Sequence, residues 1–235
     1  MRLDKFFSTV GLLSRKQCLI ELKRCNITVD GEIVKKSDTK IDPEKNVITY
    51  KGEKVNYKQY VYIMLNKPQG IVSATTDKSE KTVIDLLPEQ YKKLDLFPCG
   101  RLDKDTTGVV IMTNDGVAAH KALAPKSHVI KKYYYECADP LTEQNVSSIE
   151  SGILLKDGYV THPCKLELIT STSGYIYLDE GKYHQIKRMF GALSNKITLL
   201  KRVAFGEITL DENLKEGEFR PLTPQEEKYF TGEND

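Results

Sequence analysis

Residues 99–116 read CGRLDKDTTGVVIMTNDG and place charged side chains directly before an apolar strand. The run VVIM is too apolar to lie outside a core, so we expect Asp103 at the rim of a sheet. A carboxylate that is partly removed from water at such a rim becomes reactive, as a nucleophile or as a base. An Asp can also stabilise a turn by accepting bonds from nearby N–H groups, and spacing alone favours that structural role.

Residues 181–193 have the spacing of a helix with two opposed faces. The apolar face consists of Ile186, Met189, Phe190 and Leu193. The opposite face consists of His184, Lys187, Arg188 and Gly191. A cationic face at a helix N-terminus can bind phosphate or keep an active-site carboxylate ionised. A salt-bridged surface helix would have the same pattern, but residues 182–202 contain six bases and no acid.

Two further groups of residues could take part in chemistry. On a strand formed by KKYYYECA, Tyr133 and Tyr135 point to one side and Tyr134 to the other. Tyrosines interleaved with lysines suit base stacking and phosphate contact, although tyrosine is common in strands anyway. Asp105 could bind a metal together with Asp103, but no third oxygen ligand is evident. We interpret Asp105, Thr106 and Thr107 as residues that shape the loop.

The N-terminal part predicts a small basic module over residues 1–60, with a polar linker at about 54–60. It contains 13 Lys and Arg against 8 Asp and Glu. Its pattern predicts two helices, the second capped by Ser14, and then short strands around Asp-Gly and Lys-Gly turns. The basic residues expected on the second helix are Arg15, Lys16, Lys23 and Arg24. Such a module is suited to docking on RNA.

Residues 61–235 predict strands that alternate with helices, and therefore an α+β domain. The predicted strands include VYIML, VVIMT, KYYYECA, CKLELIT and GYIYL, followed by KITLLKR and AFGEITL as separate strands. Thr223-Pro224-Gln225-Glu226 predicts a helix start, because it combines a capping box with Pro at the first helical position.

Composition narrows the class of protein. The chain has 235 residues, of which 40% are hydrophobic and 29% charged, and it has no apolar run of the ~20 residues that span a bilayer. The five cysteines are scattered, which is typical of reduced thiols in a cytoplasmic protein. Positive charge collects at residues 1–60, 121–132 and 182–202, and this segregation favours a polyanionic partner.

Taken together, these segments resemble the three motifs of the ribosomal RNA pseudouridine synthases. The motifs are GRLDKDTTG with Asp103, K-x-Y at Lys131–Tyr133, and EGKYHQIKRMF at 180–190. The N-terminal MRLDKFF and ITVDG resemble the small RNA-binding domain of ribosomal protein S4. The resemblance implies a small S4-like α/β RNA-binding domain, followed by a larger synthase domain with a mixed, mostly antiparallel sheet and flanking helices. The order of the motifs is most similar to the small-subunit (16S) branch.

The resemblance also implies roles for individual residues. Asp103 would be the catalytic acid residue, with the choice between attack on the sugar and action as a base left open. Tyr133 would stack on the flipped base, and Arg101 would fill the gap that this base leaves. Lys187 stands where many relatives carry Arg, so either Lys187 or Arg188 would pair with the carboxylate. Further contacts are implied for Lys131, His184 and Gln185 with RNA, and for Ile186 and Leu178 beneath the base.

The implied reaction breaks the glycosidic bond of one uridine, turns the base and rejoins it through carbon, after base flipping. It needs no metal and no cofactor. We expect a monomer that acts on ribosomal RNA in an assembling small subunit and has no membrane partner. Two alternatives remain: a non-catalytic S4-type RNA-binding or ribosome-assembly factor, and a metal-dependent phosphate hydrolase that uses Asp103 and Asp105.

Overall fold

The computed structural model describes residues 1–232 and divides the chain into two compact units. The first unit contains Met1–Val61 together with Leu87–Leu96, and the second contains Tyr62–Leu86 together with the chain from Phe97 onward. Residues 87–96 therefore cluster with the N-terminal part, although they lie well beyond residue 60 in the sequence. The assignment of residues 1–60 and 61–235 to an RNA-binding domain and a synthase domain stays a prediction.

Seven α-helices occur in the described part of the chain. They are α1 (Leu3–Thr9), α2 (Arg15–Lys23), α3 (Glu89–Lys92), α4 (Gly116–Leu123), α5 (Glu143–Ser151), α6 (Gln185–Ala192) and α7 (Pro224–Thr231). Local signals account for several of their starts. Ser14 and Thr223 each form a capping box, and the Asp115 carboxylate accepts from two N–H groups in the first turn of α4.

Thirteen strands are described. They are β1 (Ile27–Val29), β2 (Glu32–Ile33), β3 (Ile48–Tyr50), β4 (Glu53–Lys54), β5 (Tyr62–Lys67), β6 (Phe97–Cys99), β7 (Thr107–Thr113), β8 (Lys131–Cys137), β9 (Lys165–Thr170), β10 (Ser173–Leu178), β11 (Ile197–Phe205), β12 (Ile208–Thr209) and β13 (Phe219–Pro221).

The first unit combines α1 and α2 with a four-stranded antiparallel sheet in the order β2-β1-β3-β4. Its core contains Leu3, Phe6, Phe7, Leu13, Cys18, Leu22, Ile27, Ile41 and Ile48. Burial of these side chains explains how so small a sheet is stabilised, because two helical faces cover one side of it. The basic residues of α2 stay exposed on the outer surface.

The second unit is built on a mixed sheet in the order β13-β5-β7-β11-β8-β10-β9, with β6 beside β7 and β12 beside β11. Only β7 and β11 run parallel among the described strand pairs. The predicted mixed, mostly antiparallel sheet is therefore confirmed. One apolar cluster packs α4 and α7 on the sheet, and a second packs α5 and α6.

The close approach of β7 to β11 depends on Gly108. This residue pairs with Arg202 and has a φ of 104°. A Cβ at this position would lie 2.1 Å from the Arg202 carbonyl oxygen. Any other residue would therefore push the two strands apart as well as strain the backbone. Because β7 and β11 run parallel, both strands begin at the same end of the sheet. The loop before β7 therefore lies near the segment before β11.

One strand assignment from the sequence is wrong. KITLLKR and AFGEITL were expected to form two strands, but β11 runs without a break from Ile197 to Phe205. Its pairing with β8 shifts register between Arg202 and Ala204. A bulge shifts by one residue the alternation of side chains between the two faces of the sheet. The hydrophobic pattern in the sequence therefore looks interrupted, although the strand continues. The turn comes later, at Gly206.

Candidate active site

One cavity in the second unit collects most of the predicted site residues. Those that line it are Arg101, Asp103, Tyr133, Leu178, His184, Gln185, Ile186 and Lys187. The cavity is also lined by Leu102, Thr106, Glu180, Gly181, Lys182 and Leu200, which the sequence analysis had not assigned to a site. A cavity that combines charged and apolar side chains could hold a planar, polar molecule.

A buried lysine fixes the loop that carries Asp103. Lys67, at the end of β5, is fully buried, and its ammonium donates to the carbonyl oxygens of Pro68 (3.0 Å), Lys104 (3.3 Å) and Thr106 (2.8 Å). Burial lowers the pKa of Lys67 to about 8, although the nearby carboxylates of Asp105 and Asp103 oppose this shift. No pattern in the sequence predicted this role, because a lysine at the end of an apolar strand is usually exposed to solvent.

Lys187 bridges the two carboxylates of the same loop. Its Nζ donates to Asp103 Oδ2 at 2.8 Å and to Asp105 Oδ1 at 2.5 Å. Burial opposes the charge of Lys187, but these two bonds outweigh it and raise the pKa of its ammonium. Burial likewise opposes the charge of Asp105, whose pKa is nevertheless lowered by Lys187. Both groups are therefore held in their charged forms.

The start of α6 is shaped by a left-handed residue. His184 precedes the helix with a φ of 48°, and its Nε2 lies 3.5 Å from Asp103 Oδ1. Left-handed backbone is costly for a residue with a Cβ, so neighbouring bonds must stabilise it. Gln185 supplies them: its Oε1 accepts from Lys182 N at 2.9 Å, and its Nε2 donates to Glu180 Oε1 at 2.6 Å.

Glu180 anchors this turn to a second loop. Besides Gln185, it accepts a hydrogen bond from the Tyr159 hydroxyl at 2.5 Å and from the backbone N–H of His162 at 3.0 Å. The bond to Glu180, together with burial, raises the pKa of Tyr159 to about 12. The Tyr159 hydroxyl thus stays protonated and donates to Glu180. The hydrogen bonds of Glu180 with Tyr159, His162 and Gln185 together fix the direction in which α6 presents Lys187.

Tyr133 lies on the cavity side of β8. It stands opposite Ile176 on one neighbouring strand and Arg202 on the other. Tyr133 and Tyr135 both pack into the apolar cluster that contains α5 and α6. The Tyr134 ring instead contacts the Tyr175 ring on the opposite face of the sheet. The predicted alternation of the three tyrosines is confirmed.

Other predicted residues lie away from the cavity. Arg188 forms an ion pair with Asp157 at 2.5 Å, so it is Lys187 that contacts Asp103. The expectation that the cationic face lacks acids to pair with is wrong, because its partners come from distant segments. Lys131 donates to the carbonyl oxygen of Asp179 at 2.9 Å. Arg15, Lys16, Lys23 and Arg24 belong to the first unit.

Comparison with known proteins identifies the family of this chain. Residues 61–192, more than half of the chain, match the family described as RNA pseudouridylate synthase. The chain belongs to this family. It is 41% identical over 230 residues to an uncharacterized RNA pseudouridine synthase of Bacillus subtilis, covering 96% of each chain. It is also 40% identical over 228 residues to ribosomal small subunit pseudouridine synthase A of Escherichia coli, covering 96% of this chain and 98% of that protein.

A solved structure extends the likeness to the whole fold. A crystal structure of a pseudouridylate synthase superposes with a TM-score of 0.70 at 38% identity, covering 98% of this chain and 99% of that one. Within residues 1–232, none of the helices has the length and apolar composition needed to cross a bilayer. In the same range, no three His, Cys, Asp or Glu side chains are arranged to hold a metal ion.

Lys187→Met should lower the kcat of this pseudouridylate synthase about 100-fold or more, because it removes the charge that faces Asp103. Arg188→Met is the matched control, since Arg188 contacts Asp157 instead. Its kcat should stay within about threefold of wild type, with any loss appearing in KM. Single-turnover and steady-state kinetics on the same RNA check this. Equal losses of kcat in the two variants would contradict the assignment.

The buried ammonium of Lys67 makes stability depend on pH. Its folded pKa, about 8, lies below the ordinary value of 10.5. Between these pH values the unfolded chain still binds a proton that the folded protein has released, so stability rises with pH. We expect a rise of about 3 kcal/mol relative to Lys67→Met between pH values below 8 and above 10.5, measured by urea unfolding at both ends of this range. Lys81→Met, at an exposed position, should follow wild type; parallel curves for wild type and Lys67→Met would refute the prediction.

Proposed function

We propose that this chain converts a uridine of ribosomal RNA, in the small subunit, to pseudouridine, with Asp103 as the catalytic residue. The observation that carries the proposal is the ion pair of Asp103 with Lys187 in a cavity that Tyr133 also lines. Relatives that share about 40% identity over almost the whole chain are described as acting on the small ribosomal subunit. Those descriptions favour the small-subunit RNA over other RNAs.

In this proposal the target uridine leaves its stack and enters the cavity. The bond between C1′ and N1 breaks, the base turns, and a bond forms between C1′ and C5, after which the proton on C5 is lost and N1 gains one. The Asp103 carboxylate acts either on the sugar or as a base, and both routes use the same position. Lys187 places a positive charge against this carboxylate, because its Nζ lies 2.8 Å from Asp103 Oδ2 and the raised pKa of its ammonium keeps it protonated.

The walls of the cavity suit the remaining steps. Tyr133 offers a ring on which the flipped base can stack, and Leu178 and Ile186 offer apolar contact beneath it. Arg101 is exposed at the rim and would fill the space left in the RNA. His184 and Gln185 also line the cavity. We propose that these residues bind the RNA next to the target, together with Lys131 and Arg188.

The first unit is proposed as an S4-like RNA-binding domain. Its support is the exposed Lys and Arg side chains of α2. Such side chains favour RNA binding, because they release counterions when they contact phosphates. We further propose that the enzyme is a cytoplasmic monomer and that its substrate is an assembling small subunit. A membrane partner and a cofactor have no part in the proposal.

Pseudouridine mapping tests the catalytic assignment. Small-subunit and large-subunit RNA are treated in parallel with wild type, with Asp103→Asn and with the control Asp77→Asn, which alters an exposed loop. We expect one new pseudouridine in small-subunit RNA with wild type and with the control, but none with Asp103→Asn. The amide retains the shape of the side chain but lacks its charge and basicity.

Each other outcome corrects a different part of the proposal. A new site in the large-subunit RNA would keep the chemistry and replace the substrate. Activity on assembling particles alone would define the particle as the substrate. A modified uridine with Asp103→Asn would remove Asp103 from the mechanism. Absence of modification in naked RNA and in particles would favour the RNA-binding factor.

The role of α2 is tested by salt dependence. In Arg15→Ala/Lys16→Ala, the slope of log affinity against log salt should become shallower by about 2, because two phosphate contacts are lost. Lys35→Ala/Lys36→Ala removes the same charge from another exposed part of the first unit. Filter binding over a range of salt concentrations compares the pairs. Equal changes in both would mean that net charge, and not α2, determines the affinity.

A further inference from the structure

Four buried side-chain atoms have no hydrogen-bond partner within residues 1–232. They are Asn66 Oδ1, Thr106 Oγ1, Tyr135 OH and Arg202 NH2. Buried polar groups are nearly always paired, so each exception calls for an explanation. Among these four residues, Thr106 is the one that lines the candidate active-site cavity. Its hydroxyl is therefore the one that a molecule bound in the cavity could satisfy.

Thr106 cannot easily move to find a partner within the protein. Its N–H donates to the carbonyl oxygen of Asp103 at 3.1 Å, and its own carbonyl oxygen accepts from Lys67 Nζ at 2.8 Å. Both ends of the residue are therefore fixed, and its side chain is 2% exposed. Rotation about χ1 is the remaining freedom, and a β-branched residue has few such rotamers. The residue is rigid, close to Asp103 in the loop and short of one hydrogen bond.

The surroundings of Thr106 give this hydroxyl selectivity. The same cavity is lined by Leu102, Leu178 and Leu200, which offer no polar group. The unpaired hydroxyl of Thr106 gains most from a ligand that brings its own polar atom to that point. A site built in this way rejects a ligand that lacks the atom, because the buried hydroxyl is then left unpaired.

We infer that Thr106 is a substrate-contacting residue, whose hydroxyl forms a hydrogen bond with the flipped uridine. The group on the uridine is a base carbonyl or a ribose hydroxyl, either of which can pair with a threonine hydroxyl. This inference rests on the proposed function, because it takes a uridine to be the occupant of the cavity. It changes the interpretation of Thr106 from a residue that only shapes the loop to one that recognises the substrate.

The test compares Thr106→Val with Thr106→Ser and Thr107→Val. Valine has the shape of threonine without the hydroxyl, and serine keeps the hydroxyl. Thr107 is the matched control, since it follows directly in the chain, begins β7 and does not line the cavity. Pseudouridine formation in ribosomal RNA and the midpoint of thermal unfolding are measured for wild type and for all three variants.

We expect Thr106→Val to lower kcat/KM about tenfold or more, as loss of one hydrogen bond to the substrate would. Its unfolding midpoint should equal or exceed that of wild type, because the substitution removes a buried hydroxyl without a partner. Thr106→Ser should restore much of the activity that Thr106→Val loses, because it keeps the hydroxyl, and Thr107→Val should stay within about threefold of wild type. A residue with a purely structural role would not lose activity while retaining stability.

Three results would overturn the inference. Full activity of Thr106→Val would show that the hydroxyl does not contact the substrate. A lower unfolding midpoint of Thr106→Val, together with lower activity, would show that the hydroxyl has a partner within the protein. Wild-type protein without activity on RNA or particles would overturn the proposed function and this inference with it. That last result is distinct from the first two, in which wild type is active.

Binding measurements then separate the two possible groups on the uridine. Once wild type has defined the modified position, Asp103→Asn and Asp103→Asn/Thr106→Val are compared on short RNAs that carry uridine or an abasic ribose there. A loss of affinity with uridine alone assigns the bond to the base. The same loss with both RNAs assigns it to the ribose. An unchanged affinity with both RNAs would contradict any contact in the bound state.

Discussion

The close approach of β7 and β11 at Gly108 is the contact on which the candidate active site depends. The two strands run parallel, and the missing Cβ allows Gly108 to approach the Arg202 carbonyl oxygen. Because the strands are parallel, both begin at the same end of the sheet. The loop with Asp103 leads into β7, and α6 leads into β11. A carboxylate and an ammonium that lie 84 residues apart in sequence meet for this reason.

Charge balance then maintains the position of the loop. Asp103 and Asp105 face the ammonium of Lys187, while the buried ammonium of Lys67 binds the carbonyl oxygens of the same loop. Neither the buried ammonium of Lys67 nor the half-buried ammonium of Lys187 lacks hydrogen bonds, as removal of an ion from water requires. The loop is thus fixed through its backbone by one lysine and through its carboxylates by the other. A carboxylate held in this way by two lysines has a defined position in the folded protein.

Local rules in the sequence predicted much of this arrangement, and long-range contacts explain the rest. Capping boxes and helical spacing defined α2, α6 and α7, because those signals act within a few residues. The spacing could not decide between Lys187 and Arg188, since adjacent residues of a helix differ by about 100° and the partner is chosen by tertiary structure. Burial of Lys67 and clustering of residues 87–96 with the first unit likewise depend on contacts far away in sequence.

The lysine at position 187 has a physical consequence for the two carboxylates. An arginine at this position would offer a planar fork, which matches one carboxylate through two parallel bonds. The ammonium of Lys187 instead directs separate protons to Asp103 and to Asp105. Asp103 therefore retains one carboxylate oxygen that Lys187 does not occupy, and His184 Nε2 lies 3.5 Å from it. Because Lys187 also binds Asp105, it contacts one oxygen of Asp103, and the other oxygen stays on the side of His184 in the cavity.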